Sequence, residues 1–191
     1  MQADRPVVMP EDEVPFRLAQ LLLLLDAVAA QDANGATLER IGYYDFLSAN
    51  PFLVVPSEGR DASLLRLAGF DPQVLSYASS SQRFTSRRER IQHDLALLVA
   101  YGCCQVRNRT GSLTYSITEA GQHLGRQFTA TYATSFATAA DIVIRQLRKL
   151  SDKRLRDQTA QWLRPDGPGG PAAALMSVLG PGPLLETSWE G

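Results

Sequence analysis

Apolar positions along this chain follow helical rhythms for most of its length, interrupted by one short polar-apolar stretch that reads as paired strands. From Phe16 to about Ala30 the sequence is apolar almost all round, with Leu21 to Leu25 unbroken. Such a helix is central in a core or pressed between partners. Asn34-Gly35 then ends it with a turn. Thr37 can cap a second helix that stops at Asn50, before Pro51. Its stretch, LERIGYYDFLSANPF, places Ile41, Tyr44, Phe46 and Leu47 near one another. Phe52 to Val55 reads as a short extended piece ended by Pro56. Asp61 reads as the N-cap of a helix from Ala62 to Ala68, closed by Gly69. Asp71-Pro72 opens another that runs to about Ala78, and serines 79 to 81 read as a linker.

The most telling run is Ser86 to Gly121. Ser86 and Glu89 form a capping box, which predicts a helix starting there. Ile91, Leu95, Leu98 and Val99 make its buried stripe, and Gly102 ends it. Cys103 to Arg107 and Ser112 to Ile117 read as paired strands, joined by the turn Asn108-Arg109-Thr110-Gly111 with Gly111 free to take positive φ. Thr118 caps the next helix. A helix feeding a two-stranded ribbon is the core of a winged helix, a module that docks onto nucleic acid or protein. From Tyr132 to Leu150 the apolar residues Phe136, Ala140, Val143, Leu147 and Leu150 recur at four and three, a coiled-coil-like seam. It packs on helix one, offers a partner surface, or does both. A last helix covers Lys153 to Arg164. Proline and glycine dominate the rest, with a short helix expected over Pro171–Leu179 and Leu184, Leu185 and Trp189 beyond it.

These elements give a mainly α (α+β) fold, a winged-helix domain with a hairpin wing elaborated by an N-terminal helix and C-terminal helices. The expected divisions are an arm over 1–15, a winged-helix-like domain over 16–130, C-terminal helices over 131–164 and a Pro/Gly-rich tail over 165–191. The 191 residues suffice for a core without staples. A net charge of −1 gives no whole-molecule attraction to nucleic acid, so any such contact must use a local patch. The two cysteines, Cys103 and Cys104, are strand neighbours facing opposite ways and poorly placed to bond each other. A reduced, cytoplasmic compartment is expected. The leucine run is bracketed by Arg17, Gln20 and Asp26 and falls short of the ~20 residues that span a bilayer. An acidic start with Asp4, Glu11, Asp12 and Glu13 is unlike a signal peptide. No membrane association is expected.

Candidate chemistry is sparse. Arg83, Arg87, Arg88 and Arg90 oppose only Glu89 at the entry of the capped helix, where guanidinium groups and helix amides suit phosphate. Arg107 and Arg109 on the hairpin could reach a neighbouring phosphate. The bland alternative is a solvated, salt-bridged face. Tyr43, Tyr44 and Phe52 are candidate partner contacts, with Phe46 in the core, and Phe136, Val143 and Leu147 are further partner candidates on the seam. His93, His123 and the cysteines lack the paired spacing zinc prefers. No nucleophile elbow is present, and GPGGP lacks the Lys-Ser/Thr ending of a phosphate loop. No catalytic, cofactor or metal residues are assigned, and an enzyme is not expected.

The segments LLLLLDAV, ERIGYYDFLSANPFLV, RRERIQHDLALLVAYGCCQV and SLTYSITEAG resemble the middle component of bacterial ABC-three-component systems over about residues 16–128. The most distinctive piece is Asp45-Phe46-Leu47 followed by Asn50-Pro51-Phe52. The resemblance implies a winged-helix-like accessory protein, encoded between an ABC-type ATPase related to chromosome-maintenance ATPases and a variable effector. It implies an adaptor role in conflict with phage or plasmids, with no catalysis of its own. ATPase and effector subunits are then the expected partners. One alternative is a DNA-binding regulator using Arg87, Arg88 and Arg90, with Arg109 in the minor groove. Another is a winged-helix subunit of a condensin-like complex, which expects a symmetric homodimer.

Overall fold

The computed structural model describes residues 12–72, 80–109 and 111–164. The first eleven residues of the expected arm, the helix to Ala78 with the linker serine 79, Thr110 of the hairpin turn, and the tail with its helix and apolar residues lie outside them.

Helix α1 (Val14–Gln31) is the spine of the molecule. By length and composition alone it could cross a membrane. Here Leu21, Leu22, Leu24, Leu25 and Val28 are buried in the main core, with α1 packed on helices and strand from five other parts of the chain. Gly35 at φ +77° makes the turn after it; a Cβ there would lie 2.1 Å from the Tyr115 carbonyl oxygen. Strand β1 (Ala36–Thr37) follows, a two-residue element without a sequence signature of its own. Thr37 caps α2 (Leu38–Ala49), accepting from the Arg40 amide at 3.3 Å.

Pro51–Leu53 is a 3-10 turn, where an extended piece was expected. The amides of Val54 and Val55 both donate to the Pro51 carbonyl, at 3.0 and 2.9 Å. The φ of proline suits a helical first turn, and the local bonds close it. Helix α3 (Arg60–Leu67) starts two residues earlier than expected, with Gly59 as its N-cap. Asp61 therefore sits inside the first turn, and its carboxylate binds Arg145 and Gln146 of a later helix instead of capping its own.

Helix α4 (Ser80–Ala100) overrides the Ser86–Glu89 capping box and begins six residues before it. Tertiary contacts explain the extension. Phe84 stacks on Tyr43 at 5.7 Å and meets Phe46 edge-on at 5.3 Å, so the turn before Ser86 is anchored to α2. Ile91, Leu95 and Leu98 are buried as expected, whereas Val99 is 37 % exposed and outside the stripe. Gly102, at φ +71°, ends the helix run.

Strands β2 (Cys104–Arg109) and β3 (Ser112–Ile117) pair antiparallel, with Cys104 opposite Ile117 and Arg109 opposite Ser112. Strand β1 joins the other side of β3, Ala36 opposite Tyr115 and Thr37 opposite Thr114, giving the order β1-β3-β2. Thr118 caps α5 (Glu119–Gly125). Helix α6 (Thr131–Leu147) lays Phe136, Ala140, Val143 and Leu147 into the core formed with α1 and α2. Helix α7 (Asp152–Trp162), capped by Ser151, closes the described chain. The result is a mainly α structure carrying one small three-stranded antiparallel sheet.

Candidate functional site

Of the arginines expected at a helix entry, Arg83 lies in the first turn of α4, whereas Arg87, Arg88 and Arg90 sit in later turns, away from its first amides. Most are already engaged. Arg83 donates to Asn50 Oδ1. Arg87 reaches across to α2, 3.1 Å from Asp45 Oδ2 and 3.3 Å from the Asp45 carbonyl. Its other nitrogen lies 3.5 Å from Gln20 Oε1. Arg90 pairs with Asp12 at 2.9 Å. Arg88 is exposed on the outer face of α4, and Arg107 and Arg109 are exposed on β2.

Three carboxylates and an amide organise this cluster, and none was singled out by sequence spacing. Asp94 is 4 % exposed and takes a bidentate grip from Arg17, at 2.8 and 3.0 Å. The Asp94 hydrogen bond and charge hold Arg17 above its ordinary value, against the opposing effect of burial. Gln20, itself buried, donates to Asp45 at 2.6 Å and accepts from the Tyr132 hydroxyl at 2.9 Å. These groups line a cleft of about 20 Å³ between α1, α2 and α4, with room for a water molecule and none for a nucleotide. Such paired, desolvated charges fix the geometry of packed helices.

A second clamp joins α2 to α7. Arg40 donates to Asp152 at 2.6 Å, to the Tyr44 hydroxyl at 2.8 Å and to the Leu150 carbonyl. Arg156 grips Glu39 with two bonds of 3.0 Å, and the Tyr43 hydroxyl donates to the same carboxylate. Tyr43 and Tyr44, candidate partner contacts by sequence, are thus buried with their hydroxyls occupied within the chain; burial raises both above the usual phenol range. Phe52 is half-buried under the Arg66 guanidinium, 5.9 Å from its centroid. Phe136, Val143 and Leu147 are enclosed by the core.

His93 and His123 are exposed on separate helices, and Cys103 and Cys104 are free and buried. Burial pushes the Cys104 thiol up to about 11, so at neutral pH it is protonated and a poor nucleophile or ligand. Among the described residues no group of three His, Cys, Asp or Glu side chains gathers as a metal ion requires.

Residues 68–164 match the family model for the ABC-three component (ABC-3C) system Middle Component 2. The chain belongs to the Middle Component 2 family. No curated protein and no solved structure gives a match. Membership makes the chain one component of an ABC-three-component system, with protein partners. The Middle Component 2 match covers α4, the β2–β3 hairpin, α5, α6 and α7. It leaves out the leucine-rich α1 and the Asp45–Phe52 piece on which the sequence resemblance leaned most.

With Arg83, Arg87 and Arg90 engaged, the exposed positions of α4 among the described residues of this Middle Component 2 chain are Thr85, Ser86, Arg88, Glu89, Gln92, His93, Ala96, Val99 and Ala100. One cation and one anion stand among them. Tyr101 follows, 68 % exposed, in the connection to β2.

Proposed function

We propose that this chain is a non-enzymatic adaptor that bridges the ATPase and the effector of its three-component system in the bacterial cytoplasm, in defence against phage or plasmids. The observation that carries the reading is the outer face of α4. The order helix, strand, helices, then two strands, with the last strand central, supports a winged-helix domain. In a nucleic-acid reader α4 would present cations to phosphate. Here Arg83, Arg87 and Arg90 bind the chain itself, and the exposed face is balanced in charge and apolar toward Tyr101. That surface suits a protein better than a duplex.

The test is co-expression of the three neighbouring genes with a tag on this chain. A stoichiometric complex with both ATPase and effector, stable through size exclusion, is expected. A chain that elutes alone as a monomer, with both neighbours folded and present, sinks the adaptor reading. A symmetric homodimer lacking both would favour the condensin-like subunit.

A second reading, contact with DNA, draws support from the exposure of Arg88, Arg107 and Arg109. It requires salt-sensitive duplex binding that falls when these three are replaced by alanine.

A further inference from the structure

Strand β2 is one margin of the sheet. Among the described residues β3 is its only strand neighbour, and the order β1-β3-β2 leaves its other side open. The register determines which backbone groups face that side. The Thr118 amide donates to the Cys103 carbonyl at 3.1 Å, one step below the Cys104–Ile117 pair in the same antiparallel register. Hydrogen-bonded and non-hydrogen-bonded pairs alternate along such a ladder. Gln105, Arg107 and Arg109 therefore direct their N–H and C=O to β3, and Cys104, Val106 and Asn108 direct theirs outward.

The two faces of the hairpin differ in chemistry. Val106 stands opposite Tyr115, and Asn108 opposite Leu113, on the face that begins with buried Cys104 and Ile117. Val106 is 40 % and Leu113 55 % exposed, so this apolar face continues out of the core into solvent. Arg107 and Arg109 occupy the other face, opposite Thr114 and Ser112. The Arg107 guanidinium donates to the neutral Gln105 side chain at 3.3 Å. Among the described residues no carboxylate pairs with either arginine.

We propose that the β2 margin accepts a strand: an extended segment of a partner subunit, with alternating acidic and apolar side chains, adds to it and widens the sheet to four strands. An added strand would satisfy the outward backbone groups of the exposed residues Val106 and Asn108. Its side chains alternate between faces. Those on one face meet Arg107 and Arg109, and those on the other lie beside Val106 and Asn108, with Leu113 one strand further in. A phosphodiester backbone would engage the arginines and leave the apolar face and the ladder groups unused. The proposal rests on the adaptor reading for the source of the segment; the geometry of the margin is independent of it.

The probe is a fluorescein-labelled peptide, Glu-Val-Glu-Val-Glu-Val-Glu, titrated with the full chain and followed by anisotropy. Saturable binding is expected. Methylating the backbone nitrogens of alternate peptide residues removes donors on one edge of the peptide strand. In one phase this should weaken binding by about tenfold, the effect of losing two or more backbone bonds, and in the other phase leave it nearly unchanged. Arg107→Glu with Arg109→Glu should also weaken it by about tenfold, with an unchanged melting temperature because both side chains are exposed. The proposal is overturned by absence of binding up to about 1 mM, by methylated peptides that bind alike in both phases, by a Lys-Val peptide that binds as well, or by a 20-base-pair duplex that binds through the two arginines while the peptide does not. Loss of the three-subunit complex would count against the adaptor reading and leave the peptide result standing.

Discussion

Arg87→Ala separates an internal clamp from a phosphate contact. The side chains of Arg87 and Asp45 are 20 % and 12 % exposed, and their nitrogen and oxygen lie 3.1 Å apart. Removing the guanidinium leaves the Asp45 carboxylate, in a largely dry position, with Gln20 as its remaining side-chain donor. Breaking a fully buried pair costs about 3–5 kcal/mol, and a charge-assisted hydrogen bond contributes about 1.5–3 kcal/mol. Partial exposure places this change at about 2–3 kcal/mol, or about 4–12 °C in melting temperature for a chain of this size. Urea unfolding of Arg87→Ala, Asp45→Asn and the double variant should show a coupling of about 1–3 kcal/mol. Arg88→Ala, on the exposed face, should change stability by less than about 0.5 kcal/mol. An Arg87→Ala chain with the parent's midpoint, or strictly additive single changes, would refute the clamp.

Three further outcomes follow from the packing. Gly121→Ala would set a Cβ 2.3 Å from the Cys103 carbonyl oxygen and 2.8 Å from Ile117 Cγ1, so α5 must lift off the root of the hairpin; a loss of about 1–3 kcal/mol is expected in urea unfolding. Phe136→Ala, at a position 0 % exposed, should cost about 3–5 kcal/mol in the same measurement. The Cys104 thiol, raised to about 11 in the fold from 9.0, keeps its proton where the unfolded chain loses it. Stability should therefore be intact below about pH 9 and fall between about pH 9 and 11, and the extra slope should vanish in Cys104→Ala.

Much of the fold was legible where a local signal coincided with tertiary need. Thr37 and Thr118 cap the helices they precede, Gly102 and Gly111 carry positive φ, and the apolar run of α1 is the buried spine. The errors arose where distant contacts overrode local chemistry. The Ser86–Glu89 pair has the pattern of a capping box, yet Phe84 extends the helix backward by packing on Tyr43 and Phe46. Strand β1 is two residues long and exists because β3 offers it a partner. The polar cluster was harder still. Arg17 and Asp94 stand 77 positions apart, and Gln20 and Asp45 stand 25 apart, so no spacing rule unites them. A polar residue such as Gln20 in an otherwise greasy helix was the available hint, since a buried amide requires partners.

Helix α1 is completed by α6, which the ribosome makes about a hundred residues later. At the usual ~5–20 residues per second, the leucine run stays incompletely covered for roughly 5–20 s after it is synthesised. During that interval the nascent chain offers chaperones an oily helix whose largest contact is still missing. Translation speed and chaperone supply thus bear on how much of this subunit reaches its complex.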